Sequence, residues 1–182
     1  YDYWDGSRDI NYGGYKYDGR WEPIAKKMIN HYKLKSDSKI LDVGCGKGFI
    51  LYEFKKLLPN SKIKGLDISS YAIKNAKDEV KKDLVLGHAN SLPFEKDYFD
   101  LVISLNTLHN LHCYDMKEAL SEIERVGKSN KYICVESYRN EYEKMNLLYW
   151  QVTCECFFNP EEWKWWFDLS GYKGDHSFIY FE

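Results

Sequence analysis

The chain lacks an excess of charge of either sign. Its 182 residues include 26 Lys and Arg against 28 Asp and Glu, a net charge of −2. A domain that binds nucleic acid usually carries a basic patch and a basic pI, so no nucleic-acid partner is expected. Lysines such as Lys55, Lys56, Lys81 and Lys82 fall on polar helix faces, where solvent is the simpler partner. No stretch approaches the roughly 18 apolar residues of a membrane span, and no charged-then-apolar leader is present, so no membrane is expected either. Cysteines are not paired by spacing. Cys45, Cys113, Cys134, Cys154 and Cys156 are odd in number, and Cys154-x-Cys156 has no second Cys or His pair at zinc spacing. Reduced thiols, a cytoplasmic location and no metal site are the reading. Repeats and dividing linkers are also missing. The expectation is one domain over residues 1–182, long enough for a real core.

What the chain has in quantity is aromatic side chains: 16 Tyr, 9 Phe and 6 Trp. They gather in residues 1–21 and 149–181. The first of these stretches shows neither helical nor strand period, and Gly13-Gly14 and Asp18-Gly19 are turn signals. It is too aromatic for a disordered tail, so it is expected to lie over the domain as a lid.

Between the two ends, strands alternate with helices. Residues 39–43, 62–67, 84–86, 98–105 and 131–136 read as strands, with a last one at 176–181. Helical faces appear from Glu22, after Gly48, after Ser69 or Ser70, from the capping pattern Asp115-x-x-Glu118 to Gly127, and from Asn159-Pro160. Residues 141–157 fit a helix at their start and an extended chain at their end. The alternation predicts an α/β fold with a doubly wound, mainly parallel sheet. Residues 38–136 carry that alternation and are the expected cofactor-binding core, and 137–182 are the expected substrate-side and C-terminal elements.

In such sheets ligands lie outside the carboxyl ends of the strands, where strand order reverses. The first strand runs into Asp42-Val43-Gly44-Cys45-Gly46-Lys47-Gly48, three glycines at alternate positions before a helix. Glycine there allows a positive φ and a close backbone approach, and the helix start offers free N–H groups. Asp67 ends the second strand 23 residues after Gly44, where a carboxylate can hold a ribose diol. The spacing is not G-x-G-x-x-G, because Phe49 stands in the third glycine's place, and no Gly-Lys-Ser/Thr completes a triphosphate loop.

Leu-Asp-Val-Gly-Cys-Gly-Lys-Gly, then Gly-Leu-Asp-Ile-Ser, Gly-His-Ala-Asn-Ser-Leu-Pro-Phe and Phe-Asp-Leu-Val-Ile-Ser-Leu resemble the class I S-adenosylmethionine-dependent methyltransferases over about residues 38–136. The resemblance implies S-adenosylmethionine as cofactor. Gly44, Cys45, Gly46 and Gly48 would pass under its methionine part, with Asp42 near the amino end. Asp67 would hold the ribose and Ile68 pack on the adenine. His88 stands where many members have an Asp that bonds the adenine amine; His88 or Asn90 would then accept that bond, with Ala89 offering its N–H. Asn106 would lie near the transferred methyl. His109 is the first candidate for a general base and His112 the second.

The acceptor pocket is expected from the lid and the loops after the fourth and fifth strands. Tyr12, Tyr15, Tyr17, Arg20, Trp21 and Tyr138 are the substrate-side candidates, aromatic walls with polar tips and one cation. The expected acceptor is an oxygen or nitrogen of a small molecule such as a sugar, a nucleotide-linked sugar or an amino acid derivative. The alternatives are a cofactor-binding partner subunit without activity, a protein or RNA methyltransferase, and a nicotinamide-dependent oxidoreductase, which Phe49 opposes. Oligomeric state is not legible.

Overall fold

The computed structural model describes residues 2–7 and 13–182. Six parallel strands form one sheet in the order β3-β2-β1-β4-β5-β6. They are β1 (Lys39–Val43), β2 (Lys62–Asp67), β3 (Leu84–Leu86), β4 (Phe99–Leu105), β5 (Gly127–Glu136) and β6 (Asp175–Ile179). Strand order reverses at β1, which pairs with β2 on one side and β4 on the other, with Asp42 opposite Gly65 and Ile103. The crevice at that switch point is where a ligand is expected.

Both faces of the sheet are covered, so β1 and β4 are apolar almost throughout. Strand period two divides their side chains. Ile40, Leu101 and Ile103 face α2 (Glu22–His31) and α3 (Phe49–Leu57), packing with Ala25, Met28, Leu51 and Phe54. Leu41, Val43 and Val102 face α6 (Cys113–Val126) and α8 (Pro160–Leu169), packing with Met116, Leu120, Ile123, Trp163 and Phe167. α8 begins as its sequence predicts: Asn159 caps it, Glu162 returns the bond to the Asn159 N–H, and Pro160 takes the first helical position.

Several boundaries differ from the sequence reading. The pattern Asp115-x-x-Glu118 makes no capping box, because α6 already starts at Cys113 and Asp115 lies inside its first turn. Gly127 does not close the helix in a left-handed turn. Its φ is −86°, and it opens β5, which therefore begins four residues before the expected Lys131. The helix after Ser69 breaks in two, α4 (Ser70–Lys74) and α5 (Asp78–Lys81), where the Lys77 N–H donates to the Lys47 carbonyl at 3.2 Å. Residues 141–157 resolve into α7 (Glu141–Trp150) followed by irregular chain.

The described part of the lid, α1 (Asp2–Asp5) and residues 13–21, packs on the glycine loop. The Tyr15 ring stacks on Phe49 at 5.1 Å, and Trp4 meets Tyr15 edge-on at 5.1 Å. Trp4 Nε1 donates to Ser69 Oγ at 3.1 Å. Lys47, almost fully buried, donates to Asp5 at 2.6 Å and to the Tyr15 carbonyl at 3.1 Å. Tyr12, a substrate-side candidate, lies outside the described residues.

Candidate active site

The loop after β1 turns on three left-handed glycines, with φ of 83° at Gly44, 52° at Gly46 and 72° at Gly48. Side chains are excluded here by strain and by space. A Cβ on Gly44 would stand 2.0 Å from Thr107 Oγ1, and one on Gly46 2.8 Å from the Trp4 ring. The Gly44 and Cys45 N–H groups donate to the Leu66 carbonyl at 2.7 and 3.1 Å, which folds the loop back over the end of β2.

Asp67 completes that turn. One carboxylate oxygen accepts the Gly46 N–H at 2.7 Å and the other the Ser69 N–H at 2.8 Å. A carboxylate has about four acceptor directions, so Asp67 is held in place and still has capacity for hydroxyl donors. Burial raises its pKa. Asp42, beneath the loop, is buried, and its Oδ1 has no hydrogen-bond partner among the described residues. Burial first, then the Asp67 charge, pushes its pKa up to about 8. A buried acceptor without a donor is costly and marks where a donor from a ligand fits.

Beside the loop lies a cavity of about 250 Å³. Its apolar lining comes from Leu66, Ile68, Ala89 and Leu111; its polar lining includes Asp67, His88, Asn90, Thr107, His112 and Asp115. Ile68 is 64% exposed, an apolar side chain left at the rim. Of the residues expected at the cofactor, Gly44, Asp67, Ile68, His88 and Ala89 are brought together here. Cys45 is buried, with Sγ directed to the Gly46 carbonyl at 3.8 Å. Asn106 is exposed, with φ of 54°, and does not line the cavity; its neighbour Thr107 does. Thr107 and Leu111 carry no motif and Asp115 reads as part of a helix cap; the turn at Leu108–Asn110 and the start of α6 carry Leu111 and Asp115 to the cavity.

His109 is placed as a strut. It is 1% exposed, and its Nδ1 accepts the Glu136 N–H at 3.4 Å. That leaves Nε2 to carry the hydrogen, 3.5 Å from Glu136 Oε2. Its carbonyl accepts the N–H groups of Glu155 and Cys156 at 2.8 and 2.9 Å. Burial lowers the His109 pKa to about 4 and raises that of Glu136 to about 7. His109 does not line the cavity, whereas the exposed His112 does.

None of the described substrate-side candidates lines the cavity, although Tyr15 and Tyr17 both pack on Phe49. Arg20 is exposed and paired with Asp18, Nε to Oδ2 at 2.8 Å. Trp21 stands at the start of α2, packed on the core of that face. Tyr17 donates to Glu53 and meets Phe49 edge-on at 5.8 Å. Tyr138 is buried beyond β5.

The family described as "Methyltransferase domain" matches residues 34–171 of this sequence. With the alternate-glycine loop, the acid at the end of β2 and the all-parallel sheet, that settles the family. The chain belongs to the class I S-adenosylmethionine-dependent methyltransferases. Family and fold imply S-adenosylmethionine as the cofactor of this methyltransferase, and the site fits it: the glycine cradle admits no Cβ, and the unpartnered Asp42 Oδ1 awaits a donor.

Among its relatives is the tRNA (carboxymethyluridine(34)-5-O)-methyltransferase of Arabidopsis thaliana, 34% identical over 71% of this chain and 30% of that protein. The demethylmenaquinone methyltransferase of Bacillus cytotoxicus is 31% identical over 76% of this chain and 62% of that protein. The crystal structure of the YcgJ protein from Bacillus subtilis aligns with a TM-score of 0.65 at 21% identity, over 80% of this chain and 66% of that one, and shares the fold. The methyltransferase chain spans about half the length, or less, of several curated relatives it matches.

The relatives correct one expectation. The balanced charge excluded a nucleic-acid partner in the sequence reading, yet a relative is named as a tRNA methyltransferase. Family membership therefore leaves the acceptor class open. Among the described residues no His, Cys, Asp and Glu side chains are grouped to hold a metal ion, and no helix is long and apolar enough to cross a membrane.

Proposed function

We propose that this chain transfers a methyl group to an oxygen or nitrogen of a small molecule. The observation that carries methyl transfer is the cradle of Asp42, the glycine loop and Asp67 beside a partly apolar cavity. When bound, S-adenosylmethionine supplies a methyl group already activated on a sulfonium. In this reading Asp67 accepts the ribose hydroxyls, Asp42 accepts from the amino end, and Ile68 with Leu111 flanks the base. The protein's task is then to hold the nucleophile in line, which alone can supply much of the rate.

Of the two histidine candidates, His109 is sealed and neutral, whereas the exposed His112 lines the cavity with its Nδ1 3.5 Å from the Glu155 carboxylate. The balanced charge and the aromatic lid support a small acceptor. A tRNA acceptor is the second reading, favoured by the tRNA-modifying relative.

Titration of S-adenosylmethionine and of NAD into the protein tests the cofactor; binding of NAD alone overturns the reading. Labelled methyl donor added with a cell extract, before and after RNase treatment, tests the acceptor. Label in the small-molecule fraction supports the proposal, and label lost with the RNA overturns it in favour of the second reading.

A further inference from the structure

Asn90 and Asp115 meet at the cavity wall. Asn90 sits in the loop after β3, and Asp115 lies 25 residues on, in the first turn of α6. Both line the cavity, and both are half-buried. Asn90 Nδ2 donates to Asp115 Oδ1 at 2.6 Å.

A carboxylate only accepts, whereas an amide has a donor side and an acceptor side. The contact therefore fixes which way the Asn90 amide faces, because the flipped amide would set oxygen against oxygen. Asn90 Oδ1 makes no hydrogen bond among the described residues, so this cavity-lining side chain keeps an acceptor to offer a ligand. His88 offers no such definition. No hydrogen bond among the described residues holds its ring, and a neutral imidazole presents a donor or an acceptor according to its tautomer.

We propose that Asp115 makes this cavity selective for a 6-amino purine: by holding the Asn90 amide nitrogen, it reserves the Asn90 carbonyl oxygen for the exocyclic amine of adenine and opposes a 6-oxo base. Asp115 is a positioning residue, since it acts through Asn90. The inference rests on the cofactor lying in this cavity. An amide released from Asp115 turns over freely and donates to a 6-oxo group as readily as it accepts from an amine.

The test is calorimetric titration of the full chain with S-adenosylhomocysteine and with its 6-oxo analogue, S-inosylhomocysteine. The wild type should favour the adenosyl ligand by about tenfold or more, the scale of one buried polar group left opposed. In Asp115→Ala that ratio should fall by about tenfold, largely through tighter binding of the inosyl ligand. The inosyl base also carries N1–H, but any backbone group facing it is common to all variants, so the change in ratio reports on Asp115. Asp115→Asn keeps the side-chain volume and accepts either amide orientation, so the ratio should fall there too, and this variant decides if the alanine variant does not fold. An unchanged ratio in a folded variant, or no preference in the wild type, overturns the inference alone. Failure of the wild type to bind either ligand overturns it together with the assignment of the cavity to the cofactor.

Discussion

Asp42 is a buried carboxyl with an idle oxygen and a pKa near 8, so at neutral pH it holds its proton most of the time in the free protein. A cationic amino group brought beside it favours the carboxylate. Binding of S-adenosylhomocysteine should then expel a proton. By linkage, affinity should rise with pH between about 6 and 7.5, by up to about tenfold per unit. Titrations in buffers of different ionisation enthalpy would show proton release near pH 7, and Asp42→Asn should bind with a flat profile over that range. Proton uptake in place of release would refute the placement of Asp42. Asp67 tests the other end of the cradle. Its two backbone bonds shape the loop that its remaining lone pairs serve. Asp67→Ala should weaken S-adenosylhomocysteine by about 100-fold or more, since hydrogen bonds to a charged group are worth about 1.5–3 kcal/mol each. At this scale the sequence was partly legible. Asp42 and Asp67 announce themselves as acids at the ends of apolar strands flanking a glycine turn. The pairing of Asn90 with Asp115 does not, because 25 residues separate them and Asp115-x-x-Glu118 imitates a helix cap.

At the scale of elements, His109 joins three pieces of chain: the turn after β4, the end of β5 and the irregular stretch after α7. The imidazole is buried neutral, with its pKa lowered from 6.5 to about 4. A depressed histidine contributes stability in full above the unfolded value, and that contribution is lost as pH falls from about 6.5 to about 4, up to about 3 kcal/mol for a group this buried. Glu136 beside it works in the opposite sense: its raised pKa, about 7, costs stability as pH climbs from 4.5 toward 7. The comparison that isolates the histidine is therefore wild type against His109→Gln. Their difference in unfolding free energy should be largest above pH 6.5 and shrink toward pH 4, while S-adenosylhomocysteine binding at pH 7.5 changes by less than about threefold. A collapse of turnover with unchanged stability would instead restore His109 as a base. Sequence reasoning found the residue but not its burial, because position after a strand is visible in the chain and burial is not. The strands themselves were legible: an apolar run covered on both faces has few other solutions. Boundaries near Gly127 and Ser69 were not, since Gly127 is as usable at a strand start as at a helix end.

The whole molecule sets an aromatic N-terminal segment over the glycine loop, and an ion pair between buried Lys47 and half-buried Asp5 helps tie it there. Lys47 is only 5% exposed and sits between the Asp5 carboxylate and the Tyr15 carbonyl, while Tyr71 donates to the second Asp5 oxygen at 2.8 Å. The aromatic composition announced that something would be covered, but not what, because Trp4, Tyr15 and Tyr17 find Gly46, Phe49 and Glu53 only once β1 and α3 are folded. Removing one partner of a desolvated pair costs more than the pair contributes, because the other charge stays in place without its counterion. Asp5→Asn preserves the shape and removes the counter-charge, and should destabilise the protein by about 1–3 kcal/mol, less than for a fully buried pair because Asp5 keeps some contact with solvent. The loss should be local. Trypsin should cut after the exposed Lys16 faster in the variant, and at an unchanged rate after the exposed Lys128, near the start of β5 and paired with Asp100 rather than with the lid. Equal acceleration at both sites would mean that the pair holds up the whole fold. No acceleration at either would mean that the stacked rings hold the lid without it.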